Sequence, residues 1–305
     1  MSSCARPLAT DEQIEEFVHS ILDIKDSEDK RNAINLIYRG ESRITELSEM
    51  HTFLFPTFRD SQYKIVTQRE KLRKGIYEEL IGEMRPEDDE DIRLGNGGAL
   101  PRIGSLKKEK KAYIIIGPPA SGKSFFSNRI SDTFGAMILD SDYAKRKLPE
   151  FYNKDNGASL VHEESSQIVF KYPPYNVLTH CLREEYNIVV PKIGNSVQGL
   201  FEDIVQPLYE LGYAIYLVLI ELDRFKATQR AFNRYVTTKR YVSLAMIFDV
   251  FSNDPILSYY RFVERYGKYF SGFCHFSNDV KKGDPPILVE KNGADDIVLA
   301  VLKGV

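Results

Sequence analysis

Residues 117–124 read Gly117-Pro118-Pro119-Ala120-Ser121-Gly122-Lys123-Ser124, directly after the apolar run Tyr113-Ile114-Ile115-Ile116 and directly before Phe125-Phe126-Ser127-Asn128-Arg129-Ile130. The octapeptide fits G-x-x-x-x-G-K-[ST], with a β-branched strand pattern before it and an amphipathic helix pattern after it. A strand, a Gly-containing turn and a helix N-terminus together aim backbone N–H groups and the positive end of the helix dipole at one point, which suits phosphate oxygens. Gly122 admits phosphate without a Cβ, Lys123 reaches the outer phosphates as a point charge, and the Ser124 hydroxyl is placed to ligate Mg2+. The whole loop from Gly117 to Ser124 is expected to hold ATP. The alternative is a structural strand-to-helix turn in which the lysine is merely solvated.

From Ala112 onward strand and helix patterns alternate, with strands expected at 112–116, 136–140, 187–193, 214–222 and 273–276. Such βαβ repetition implies an α/β fold: a P-loop kinase-type parallel sheet of about five strands flanked by helices, with sites at the carboxyl ends of the strands. Pro173-Pro174 should break the helical stretch between Ser159 and Glu185, and Asp254-Pro255 should start another helix. Upstream the chain reads as a small helical N-terminal module. Thr10 with Gln13 forms a capping-box pattern, a second helix runs from Ser27 to Arg39 and ends at Gly40, and a third runs from Ser42 to Phe53. The expected division is a module at 1–56, a leading helix at 57–83, a linker or exposed loop at 84–111 with a solvated acidic run, and the kinase domain at 112–305.

The 305 residues carry a net charge of -3, with 43% hydrophobic and 28% charged content, which is ordinary for a globular chain and gives no overall attraction to nucleic acid or an anionic membrane. The three cysteines, Cys4, Cys181 and Cys274, have neither disulfide-framework nor zinc-ligand spacing. With no apolar signal core and no spanning-length apolar run, the expected location is the cytoplasm, without a nucleic-acid or membrane partner.

Phosphoryl transfer needs positioning, charge stabilisation and a carboxylate that orients the attacking hydroxyl. Asp140 and Asp142 stand at the end of the second strand, and Asp142 is the candidate base; the alternative is that one of them caps the following helix. Arg230 and Arg234 share a helix face from which guanidinium forks can grip phosphate, although basic faces are commonly only solvated. Lys192 and Asn195, in the loop after the third strand, are candidates for binding substrate, and Asn278 follows the last strand where an adenine could rest.

The order of these motifs resembles the zeta-toxin family of P-loop kinases. The likeness rests on the phosphate loop, then Leu139-Asp140-Ser141-Asp142 with Leu148-Pro149-Glu150-Phe151, then Val161-His162-Glu163-Glu164-Ser165-Ser166, then Asn233-Arg234-Tyr235 and Lys239-Arg240-Tyr241-Val242. It spans about residues 112–279. The resemblance implies ATP-dependent phosphorylation of a sugar hydroxyl on UDP-N-acetylglucosamine, with Lys123 and Ser124 on phosphates and Mg2+, Asp142 as base, and Arg234 and Arg240 on phosphates. Asp140, His162, Glu163, Ser165, Lys192, Asn195 and Arg230 are the residues expected to bind the nucleotide-linked acceptor substrate. The resemblance also implies a helical antitoxin over the ATP site; the helical N-terminal module, which exceeds what the family core needs, is either such an inhibitor acting in cis or a docking or stabilising extension. One departure bears on the acceptor: where the family carries a carboxylate that contacts the amino sugar, followed by an arginine, this chain has Pro191-Lys192-Ile193-Gly194-Asn195. Rival readings are a P-loop kinase for another nucleotide, cofactor or nucleic-acid end, and a regulatory nucleotide-binding ATPase.

Overall fold

A computed structural model describes residues 5–46, 51–152, 157–238, 241–281 and 283–303. Six strands form one sheet: β1 (Lys111–Ile116), β2 (Ala136–Ile138), β3 (Asn187–Lys192), β4 (Ala214–Glu221), β5 (Gly272–Ser277) and β6 (Ile287–Asn292), in the order β2-β3-β1-β4-β5-β6. The first five are parallel, and β6 runs antiparallel to β5. Every residue of β1 from Ala112 to Ile116 is buried, which for alternating side chains means that both faces of the sheet are covered. The sixth strand lay outside the expectation because only Leu288 and Glu290 turn partly inward, while Ile287 and Val289 remain exposed on an edge. Among the described residues no helix is long and apolar enough to cross a membrane.

The N-terminal helices are α1 (Asp11–Ser20), α2 (Ser27–Glu46) and α3 (Val66–Gly82). Thr10 and Gln13 form the expected capping box on α1. Gly40, however, does not end its helix, and α2 runs on through the start of the expected third helix, which does not form separately; residues 47–50 of that segment lie outside the described residues. Gly40 is needed for close approach instead: a Cβ there would stand 2.5 Å from the Tyr241 ring. Through this contact α1 and α2 build a second core with the helix Arg224–Thr238 and its successors, joining Ile14, Phe17, Val18 and Ile37 to Ala231, Tyr235, Leu244 and Phe248.

The stretch expected as a linker is irregular but packed. Ile92 and Ala99 are buried in the main core, Ala99 N–H donates to Leu80 (2.9 Å), and the Ala99 carbonyl accepts from Ile138 (3.1 Å). Within the acidic run, expected to be solvated, Asp89 is buried beside Arg85, and Arg85 pairs with Asp132 at 2.8 Å. The segment therefore ties α3 to β2 and to α4 (Lys123–Phe134), the helix that follows the phosphate loop.

Candidate active site

β1 delivers the chain into the loop between β3 and β4, its two neighbours in the sheet. Gly122 (φ 90°) caps α4 in the left-handed region, and Ala120 (φ 60°) shares that conformation, curling the loop into a nest. A side chain at Gly122 would be strained and would meet Asn278 Nδ2 at 2.5 Å. Within the described residues the amides of Gly122, Lys123 and Ser124 find no backbone acceptor, leaving three donors at the start of a helix. Lys123 Nζ folds back on the carbonyls of Gly117 and Pro118, at 2.7 Å each, and burial lowers its pKa to about 8. The Ser124 side is exposed.

These features fit a triphosphate and its ion. The exposed Ser124 hydroxyl at the start of α4 is the group that would ligate the ion. Asn278 does reach the loop from the end of β5, but as a brace: its Nδ2 donates to the Ser121 carbonyl at 2.6 Å.

β2 ends at Ile138, so Asp140 and Asp142 are not alternate residues of one strand. Asp140 caps α5 (Ser141–Lys147), its carboxylate accepting from Asp142 N–H at 2.8 Å, and Asp142 stands in the first turn with Lys145 Nζ at 2.7 Å. The two carboxyls are thereby driven apart. Burial, and then the charge of Asp142, raise Asp140, while Lys145, with Arg146 and Arg234, holds Asp142 well below the usual carboxylate range. Asp142 is half exposed and carries the free oxygen.

Arg234 faces this turn from the helix Arg224–Thr238, within the field of Asp142, and its buried Nε has no hydrogen-bond partner. Arg230, one turn earlier, donates to the Val280 carbonyl at 3.4 Å, near Asn278 rather than near the carboxylates. Arg240 lies outside the described residues. Among the residues expected on the acceptor side, His162 is exposed, and desolvation of its imidazole, with Lys145 adding to the effect, lowers its pKa from the ordinary value. Burial also lowers Lys192, to about 8, with Nζ 3.7 Å from the centre of the Phe170 ring. Glu163 accepts from Gln167 at 2.8 Å, and Asn195 is exposed in the loop after β3. Ser165 is fully buried and donates to the His162 carbonyl at 2.7 Å, bracing the short helix.

Lys145, Arg146 and Lys171 went unrecognised in the sequence reading, although the three-residue spacing of Asp142 and Lys145 at a helix start was a usable signal. Also unrecognised was the support behind His162. Glu164 and Glu150 are completely buried with Arg69, Arg69 Nη1 lies 2.7 Å from Glu150, and Arg73 Nε lies 2.7 Å from Glu164. Thr52 donates to Glu164 as well.

A family model described as an AAA domain matches residues 113–247. Among solved structures, a chain from the PezAT chromosomal toxin-antitoxin system of the human pathogen Streptococcus pneumoniae is similar at a TM-score of 0.51 and 13% identity, over 81% of this chain and 89% of that one. No curated protein matches in sequence. At that identity the likeness is one of fold, and it agrees with the zeta-toxin-like P-loop kinase fold that the motif order resembles.

Proposed function

We propose that the protein is an ATP-dependent kinase of zeta-toxin type that transfers the γ-phosphoryl group to a hydroxyl of a small nucleotide-linked acceptor such as UDP-N-acetylglucosamine. The observation that carries this reading is a phosphate loop with free amides and Lys123 in electrostatic contact with the Asp140–Asp142 turn and with Arg234, whose buried Nε has no hydrogen-bond partner among the described residues. With the triphosphate along the loop, the acceptor oxygen attacks the γ-phosphorus as the bond to the β,γ-bridging oxygen breaks. ADP departs, and the hydroxyl proton passes to Asp142. Arg234, already desolvated, offsets charge on the transferring group. Ser124 would hold Mg2+, which neutralises charge on the β and γ oxygens when bound. A depressed Asp142 pKa is compatible with this role, since a loose transition state needs the hydroxyl oriented more than it needs a strong base. The test is labelled ATP and Mg2+ with a panel of UDP-sugars and dinucleotides. Label on an acceptor is expected; inorganic phosphate as the only product would favour a nucleotide-driven switch instead.

The N-terminal helices belong to the same reading as a restraint acting in cis, in the place of a separate helical antitoxin. They share a core with the helix that bears Arg234, and Ala120 of the phosphate loop packs against that core. Removing them would bare an apolar face, so a point change tests the idea better than truncation. Gly40→Leu drives a side chain into the Tyr241 ring, an overpacking that costs about 1–3 kcal/mol. Transfer should rise severalfold as the thermal midpoint falls; unchanged or lower transfer in the loosened protein counts against restraint.

A further inference from the structure

Lys192 is the last residue of β3 and pairs in register with Ile116, the residue before the phosphate loop. A lysine here stands one strand from the start of the phosphate loop. The charges that act on it are those of Asp140, Lys171, Lys145 and Asp203, whereas Lys123 and Arg234, which act on the Asp142 side, are not among them. Lys123 already supplies the cation on the phosphate loop, which leaves Lys192, one strand away and seated on Phe170, to the acceptor wall.

The cations on that wall are not equivalent. Lys145 is neutralised by Asp142 at 2.7 Å. Lys192 rests its ammonium on Phe170, and neither it nor the neighbouring Lys171 pairs with a carboxylate among the described residues. An aromatic face stabilises a cation but leaves its hydrogen-bond donors unused. A half-buried ammonium lacking a carboxylate partner favours a ligand that brings the anion. The charges of Asp140 and Asp203 bear on it without forming an ion pair among the described residues, and the Asp140 carboxylate is committed to capping α5.

We propose that Lys192, with Lys171 beside it, seats an anionic group carried by the acceptor close to the hydroxyl that is phosphorylated, so that the preferred nucleotide-linked acceptor is acidic at its reacting end, unlike the neutral amino sugar of UDP-N-acetylglucosamine. This rests on the kinase reading for the meaning of "acceptor", and the shared chemistry is a carboxylate or a phosphate. Lys192 is then a specificity-determining residue: it separates acceptors by charge without taking part in ATP binding.

Calorimetric titration of the full chain with Mg2+ and a non-hydrolysable ATP analogue present tests it, using two matched pairs. UDP-glucuronic acid against UDP-glucose isolates a carboxylate, and adenosine 3′,5′-bisphosphate against the 5′-monophosphate isolates a phosphate. The charged member of one pair should bind at least about tenfold tighter, as a charge-assisted hydrogen bond provides, and the identity of that pair names the anion. In Lys192→Met the preference should fall below about twofold with affinity for the ATP analogue retained, and Lys192→Arg should keep it. Equal binding within both pairs, no binding by any of the four compounds, a preference that survives Lys192→Met, or an equal loss for both members of a pair overturns the assignment. A charge preference that depends on Lys192 but is followed by no label transfer would leave this assignment standing and sink the kinase reading.

Discussion

Asp142→Asn is expected to leave Mg·ATP binding within about threefold and to slow phosphoryl transfer by roughly 10²–10⁴-fold, the usual contribution of a positioned proton acceptor. The argument is geometric. Asp142 is in the first turn of α5, half exposed, with Lys145 as its single side-chain hydrogen-bond partner among the described residues. An amide keeps the shape and can still meet Lys145 through its oxygen, but it cannot take the proton. Asp140→Asn makes the informative contrast. Its oxygen would still cap α5, so the helix should persist, and the removal of a charge that attracts Lys123 should be felt in ATP binding more than in transfer. Initial rates with labelled ATP, alongside titrations of a non-hydrolysable analogue, separate the two effects. Near-normal turnover in Asp142→Asn would refute the assignment of the base.

Arg69→Met should destabilise the protein by about 3–5 kcal/mol, the cost of leaving buried carboxylates without their cation. Arg69 is completely buried; its Nε and Nη2 reach Glu164 at 2.6 Å each, and its Nη1 reaches Glu150 at 2.7 Å. Removing it strips Glu150 of its cation, leaves Glu164 with only Arg73 and Thr52, and loosens α3 from the helix that presents His162. Lysine should not rescue, because one ammonium cannot reproduce the fork that spans two carboxylates. Burial alone would raise Glu164, yet Arg69, with Arg73 and Thr52, holds it below the ordinary carboxylate range. A depressed folded-state pKa contributes stability above the unfolded value, and that stability is lost as pH falls through the folded pKa. The native protein should therefore lose this contribution in acid below about pH 4, and the Arg69→Met protein should lose less of it on acidification. Urea midpoints at neutral and acid pH measure both effects, and an unchanged midpoint in Arg69→Met would contradict the account.

The readily legible parts of this molecule were local. A β-branched run, a Gly-Lys-Ser turn and a helix pattern lie within about twenty residues of one another, and the strands at 111–116, 187–192 and 214–221 announce themselves as continuous apolar runs. What escaped depends on partners far along the chain. Gly40 reads as a helix stop until Tyr241, about two hundred residues away, is seen resting on it. Arg69 and Arg73 share the inward face of α3 with Leu72, Ile76 and Leu80, and nothing near them tells of Glu164, 95 residues on from Arg69. The acidic stretch before β1 has the composition of a solvated loop, yet Arg85 and the α4 side chains draw Asp89 into the interior. For the candidate site, type and place were legible for Lys123, Asp142 and Arg234. The division of labour between Asp140 and Asp142 was not, because it turns on where β2 stops and α5 begins, a matter of two residues.

Titration of Mg·ATP into the full chain and into its Gly40→Leu variant tests the central claim most directly. Saturable one-site binding with a matching rise in thermal midpoint is predicted in at least the loosened protein, lost when Lys123→Ala is added and the ammonium over the loop is gone. No heat and no thermal shift in either protein, or binding that survives Lys123→Ala undiminished, would contradict it.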